Sequence, residues 1–114
     1  MFFLNAQLKR GIDSVLDWAN FDQHVATTDW IFTGEGKLDS QTLQGKLIAG
    51  IAERANGKPI IALCGALDLA PKELNDLGLK AAFSITQKPC TLSEALTDTA
   101  KSLENTAFNV SRLL

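Results

Sequence analysis

Residues 29–46 read Asp29-Trp30-Ile31-Phe32-Thr33-Gly34-Glu35-Gly36-Lys37-Leu38-Asp39-Ser40-Gln41-Thr42-Leu43-Gln44-Gly45-Lys46, and this stretch decides the fold. It opens on Trp30-Ile31-Phe32, an apolar run too short for a helix and bounded by Asp29 and Gly34, which reads as a buried strand over 29–33. Glycines, carboxylates and hydroxyls follow from Thr33 to Thr42 and read as a loop. A helix over 40–56 comes next, with Leu43, Leu47, Ile48, Ile51 and Ala52 on one face and a stop at Asn56-Gly57 ahead of Pro59. Strand, loop and helix in that order are half of a parallel crossover unit.

The pattern repeats on both sides. Pro59-Ile60-Ile61-Ala62-Leu63-Cys64 is a second buried strand, ended by Gly65. A short helix over 71–77 has Pro71 as its first residue and Gly78 just past its end. A third strand covers 81–85. A last helix over 92–112 starts from a capping box, Thr91 with Glu94, and carries the stripe Leu92, Leu96, Ala100, Leu103, Ala107, Val110 and Leu114. Upstream, Leu8, Ile12, Val15, Leu16 and Ala19 mark a helix over 7–19, followed by a helical turn over 21–26. The order is one helix, then strand and helix three times. That is an α/β fold: a three-layer arrangement with a short, mostly parallel sheet covered on both faces. Residues 1–114 read as a single α/β segment. Three strands make a thin sheet with an open edge, so the expected partner is a second copy of the chain or further strands of a longer polypeptide.

Composition narrows the function class. The 114 residues are 46% apolar and 21% charged, ordinary globular usage that excludes a disordered chain. Eleven basic and thirteen acidic residues leave a net charge of −2, mixed along the chain, so no nucleic-acid stripe is expected. The apolar start, Met1-Phe2-Phe3-Leu4, is too short for a signal peptide, and no stretch reaches the length of a membrane span. Cys64 and Cys90 lack CxxC spacing and read as reduced thiols of a cytoplasmic protein, with Cys64 a small buried residue. His24 is the only histidine, which excludes a histidine-based metal site and leaves it a surface or satisfied half-buried role. Trp18, Phe21 and Phe108 read as core.

In parallel sheets, ligands bind beyond the carboxyl ends of the strands. Three loops begin there, at Thr33, Cys64 and Ser84, and the first carries the chemistry. Glycines let a backbone approach a ligand, a helix N-terminus favours an anion, and carboxylates hold Mg²⁺ or accept a proton. Generic motifs do not account for it. Gly45-Lys46 is followed by Leu47, where a Walker loop needs a hydroxyl, and Asp39 stands where a dinucleotide fingerprint needs its third glycine. Each candidate keeps a second reading. Asp39 also fits a helix N-cap. Gly34 and Gly36 also fit a tight turn, and Gln41 and Thr42 solvated first-turn positions. Lys46 fits either a phosphate contact or a surface lysine, whereas Lys37 reads as solvent-facing. Gly45 and Gly50 read as close packing of the helix on the sheet.

The run TGEGKLDSQTLQGK resembles the TGEGxxDxQTxxGK segment of the type 1 glycerate kinases. The resemblance continues through Lys58-Pro59-Ile60-Ile61-Ala62-Leu63-Cys64-Gly65 and Ala82-Phe83-Ser84-Ile85, and more weakly through Gly11-Ile12 to Leu16. It covers nearly the whole chain but matches only the C-terminal part of that longer family, whose members join a flavodoxin-like domain to an inserted α/β domain. It implies ATP-dependent phosphorylation of D-glycerate to a phosphoglycerate, with ATP and Mg²⁺ as cofactors. On the matching positions, Glu35 and Asp39 become the candidate catalytic and Mg²⁺-contacting groups, acting on the metal or on the attacking hydroxyl. Thr33, Gly34, Gly36, Gln41, Thr42 and Lys46 become the candidate substrate- and phosphate-binding positions. Since other walls of the cleft belong to segments this chain does not match, the 114 residues alone are expected to be inactive. The alternatives are a non-enzymatic, truncated or self-associating α/β fragment, and a module that binds a phosphorylated ligand.

Overall fold

Alternation along one strand sorts the structure into layers. In the computed structural model, which describes residues 11–40, 46–86 and 88–114, β2 (Ile60–Leu67) is the middle strand. Ile60, Ala62 and Cys64 point into one buried cluster, Ile61 and Leu63 into another. β1 (Ile31–Leu38) pairs with β2 in parallel from Ile31↔Ile60 to Leu38↔Leu67, and β3 (Ala81–Ser84) pairs with its other side from Ile61↔Ala81 to Cys64↔Ser84. The order β1-β2-β3 leaves both outer strands unpaired on one side among the described residues.

Helices α1 (Gly11–Trp18), α2 (Phe21–Ala26), α3 (Lys46–Arg54) and α4 (Pro71–Leu77) cover the first face, through Leu16, Val25, Ile48, Ile51 and Leu77. On the other face, α6 (Thr99–Ser111) sets Val110 against Ile61, Leu63 and Ile85, with α5 (Leu92–Thr97) leading into it. The α/β class, the three layers and the parallel sheet therefore hold. The α4 and α2 limits match the sequence reading, as does the reciprocal capping of α5 by Thr91 and Glu94. The parts of the expected helices at 7–10 and 41–45 lie outside the described residues.

Four expectations change. The long last helix is two helices. Thr97, Asp98 and Thr99 interrupt it: Asp98 sits at φ −96°, and the Thr97 and Thr99 hydroxyls donate to Ser93, Ala95 and Leu96 carbonyls. Its stripe is largely uncovered, with Leu92 76% and Leu96 68% exposed. Trp18 and Phe108 are exposed rather than core, because α1 and α6 turn those positions to solvent; Phe21 is partly buried as expected. Gly50 packs against a helix, not the sheet: a Cβ there would lie 2.6 Å from Ile12 Cγ2 of α1.

Arg54 fastens the first layer. Its guanidinium donates twice to the Asp22 carboxylate, both at 3.1 Å, and once to the Asp13 carbonyl, and it lies 2.8 Å from Asp17. The guanidinium pKa is raised, chiefly by the bond to Asp22 and against desolvation. α1, α2 and α3 thus meet at one side chain. Among the described residues, no helix is long and apolar enough to cross a membrane.

Candidate active site

β1 does not stop at Thr33. It continues through Gly34, Glu35, Gly36 and Lys37 to Leu38, while β2 continues in step to Leu67. β3 ends at Ser84, level with Cys64. β1 and β2 therefore project past the third strand by three residues, about 10 Å at 3.3 Å per residue. Thr33 to Leu38, most of the segment that reads as a loop, is therefore strand, and its last three residues are half of this two-stranded ribbon.

Glycine makes the ribbon possible. The ladder lacks a pair at Gly36 and resumes at Lys37↔Ala66. A Cβ on Gly65 would lie 2.8 Å from the Gly36 carbonyl oxygen, closer than side-chain carbons come to backbone oxygens. Gly65 lets the backbones approach where a side chain would push them apart, whereas a Cβ on Gly36 would meet nothing within 4 Å. Leu38 then anchors the far end in the core with no exposed surface, and its carbonyl accepts from Asp68 N at 2.8 Å.

This geometry places the candidate residues. Thr33 and Glu35 lie opposite Ala62 and Cys64, on the face covered by α1 to α4. Glu35 is half-buried at the level where β3 ends, and its carboxylate makes no hydrogen bond or ion pair with a described residue. Its neighbour Cys64 is buried and donates to the Phe83 carbonyl at 3.5 Å. Burial pushes the Cys64 thiol pKa up, and the negative charge of Glu35 pushes it further. Asp39 follows the strand and lies 3.5 Å from Lys37 Nζ, so Lys37 has a partner as well as solvent. Gly34 and Gly36 are strand residues with exposed backbone. Lys46 opens α3; Gln41 and Thr42 lie outside the described residues.

The connection after β3 joins the same edge. The Ser84 and Thr86 hydroxyls both donate to the Gly65 carbonyl, at 3.4 and 3.0 Å, tying it to the ribbon. Beyond it a cavity of about 480 Å³ opens against α5 and α6, lined by Lys88, Asp98, Lys101 and Asn105 among others. Sequence reasoning marked the loop at Ser84 but none of these side chains. The usable signal was Lys88, three residues past the expected strand end. Both cysteines are free, Cys64 buried and Cys90 exposed. His24 is exposed, as expected.

The family model described as Glycerate kinase family matches residues 1–114. The glycerate kinase of Bacillus cereus is 43% identical over 109 residues, which cover 94% of this chain and 29% of that protein. The glycerate kinase of Neisseria meningitidis serogroup B is 40% identical over 113 residues, covering 98% of this chain and 30% of that protein. A solved structure described as glycerate kinase 2 from Salmonella typhimurium LT2 superposes with a TM-score of 0.65 at 38% identity, covering 95% of this chain and 28% of that one. This chain therefore spans under a third of the length of the relatives it matches. A sequence match over the full chain and the shared fold agree: the chain belongs to the glycerate kinase family.

Proposed function

We propose that this chain supplies one wall of a glycerate kinase active site, in which ATP phosphorylates a hydroxyl of D-glycerate. The observation that carries the reading is Glu35: a half-buried carboxylate with no hydrogen-bond or ion-pair partner among the described residues, at the carboxyl edge of a parallel sheet and inside the segment that resembles the glycerate kinase motif. A carboxylate at such an edge is a candidate for contacts that form when substrate arrives.

The donor set suits Mg²⁺. Glu35 and Asp39 offer hard oxygen ligands, and no cluster of three potential ligands occurs among the described residues. One or two carboxylates completed by substrate phosphates is the usual way proteins hold this ion. When bound, the ion offsets negative charge on the transferring phosphoryl group. Glu35 then orients the attacking hydroxyl or accepts its proton, Asp39 holds the metal end, and the Gly34 and Gly36 backbone leaves room for the substrate. Thr33, Gln41, Thr42 and Lys46 are proposed to contact substrate or phosphate. The remaining walls come from polypeptide corresponding to the rest of the relatives' length, and the setting is the cytoplasm.

The test measures ADP release with ATP, D-glycerate and Mg²⁺, for the chain alone and for the chain joined to the N-terminal part of the Bacillus cereus relative. The joined protein is expected to turn over and the chain alone is not. Glu35→Gln in the joined protein is expected to lower kcat by about 10²–10⁴-fold, the usual contribution of a proton-transferring group. Unchanged turnover in that variant would remove Glu35 from the chemistry.

A further inference from the structure

The Gly65 peptide of β2 is held from a direction that a regular strand does not use. Successive carbonyls of a strand face opposite neighbours. Here two in succession face β3 and the connection after it. The Cys64 carbonyl accepts from the Ile85 N–H at 2.8 Å, and the Gly65 carbonyl accepts from the Thr86 hydroxyl at 3.0 Å and the Ser84 hydroxyl at 3.4 Å. β2 is therefore rotated at Gly65. The β1 side agrees: a Gly65 Cβ would point at β1, 2.8 Å from the Gly36 carbonyl oxygen, and the ladder lacks a pair at Gly36. Local irregularities of this kind bend a strand and re-aim side chains.

What holds the rotation lies outside the ladder. The Thr86 N–H donates to Ser84 Oγ at 3.2 Å, and both hydroxyls converge on the Gly65 carbonyl, which closes a ring. The Thr86 bond is the stronger of the two, since 3.4 Å is long for a hydroxyl donor. Glu35 stands one step away. Glu35, Cys64 and Ser84 form one register row across the three strands, and Gly36 and Gly65 directly follow the first two. A Gly65 carbonyl without the hydroxyls needs another donor, which a regular ladder supplies from β1. Gly36 then has to shift to admit it, and Glu35 shifts with it.

We propose that Thr86, supported by Ser84, is a positioning residue for phosphoryl transfer: by holding the Gly65 peptide rotated, it fixes where β1 presents Glu35. The role rests on the kinase reading above, and Thr86 acts through the backbone rather than on a reacting atom. A misplacement of about 1 Å in such a group costs up to about 10²-fold in rate.

The test uses the joined protein. Thr86→Val removes the hydroxyl and keeps the branched shape. It is expected to lower kcat about 10- to 100-fold while KM for ATP and for D-glycerate hold. Thr86→Ser keeps the hydroxyl and is expected to restore kcat, which a role through side-chain bulk would not do. Ser84→Ala is expected to lower kcat less than Thr86→Val, because its bond is the longer. In parallel, ¹⁵N and ¹³C spectra of the 114-residue chain are compared with those of its Thr86→Val and Thr86→Ser variants. The Glu35, Gly36 and Gly65 resonances are expected to shift in the first and to return in the second. An unchanged kcat in Thr86→Val would overturn the positioning role and leave the kinase reading standing. So would an effect confined to KM for ATP, which would make Thr86 a ligand contact. Shifted Glu35 resonances in Thr86→Val together with normal turnover in Glu35→Gln would sink the kinase reading, and with it the catalytic use of a link that the spectra establish.

Discussion

The two faces of the sheet are finished to different degrees. Among the described residues, twelve buried side chains form a continuous cluster on the first, under four helices. On the second, again among the described residues, Ile61, Leu63, Ile85 and Val110 form a cluster of four, and Phe32, Leu96, Leu103 and Phe108 remain exposed by 43% or more. Both faces are built from the same signal, apolar residues at helical spacing opposite apolar strand residues. The difference teaches that such a stripe marks the sticky side of a helix, not what covers it. A chain that spans under a third of its relatives' length can carry stripes whose partners lie in polypeptide it does not contain.

The contrast can be broken experimentally. Ile48 is 1% exposed, and Ile48→Ala is expected to cost about 2–5 kcal/mol in urea unfolding of the chain. Val110→Ala removes less from a smaller cluster and is expected to cost about 1.5–2 kcal/mol, two methyl groups at roughly 0.8 each. Equal losses would show the second face to be as well packed as the first.

Gly65→Ala tests the ribbon. The added methyl meets a backbone oxygen that can move only with its strand, so a loss of about 1–3 kcal/mol is expected. Gly50→Ala is expected to cost less, because the Ile12 Cγ2, Cγ1 and Cβ atoms it meets give way with a small shift of α1, which is held by no ladder. A reversed ranking would mean that the ribbon backbones yield more easily than the contact between α1 and α3.

Smaller effects sharpen the contrast from the open side. Leu96→Ser and Phe108→Ser are expected to change the stability of this chain by no more than about 0.5 kcal/mol. In the joined protein the same changes are expected to cost at least about 1 kcal/mol more, if the added polypeptide covers them. The smallest effect is at Glu94. The Thr91 backbone N–H, then its hydroxyl, hold the Glu94 carboxyl below the usual carboxylate range. A folded pKa below the unfolded one stabilises the helix start at neutral pH and ceases to do so as pH falls below about 4. Amide protection of Ala95 and Asp98 should fall in that window, and Glu94→Gln should abolish the pH dependence.

Much of the fold was legible because strands and helices of different period alternate. Pro71 and Gly78 marked both ends of α4, and the Thr91–Glu94 pair marked the start of α5. Two things were not legible. Residues 34–38 looked like a loop because glycine and charge are poor strand formers. What makes them a strand is the ladder to Leu63–Leu67, a long-range contact that no local window contains. The break at Asp98 was hidden by a stripe that runs through it unbroken, and hydroxyl-to-carbonyl bonds decided it instead. For the site, the residue types were legible and their placement was not. Glu35 stood out by its segment, but its position beside Cys64, level with the end of β3, needed the register.

The Gly65 carbonyl joins the ribbon to the connection after β3 through two hydroxyls, those of Ser84 and Thr86. A backbone amide in a ladder is welded in direction, whereas a hydroxyl turns about its own carbon–oxygen bond. Beside it the Ile85 N–H donates to the Cys64 carbonyl at 2.8 Å, so the joint combines one bond of set direction with two whose donors can turn.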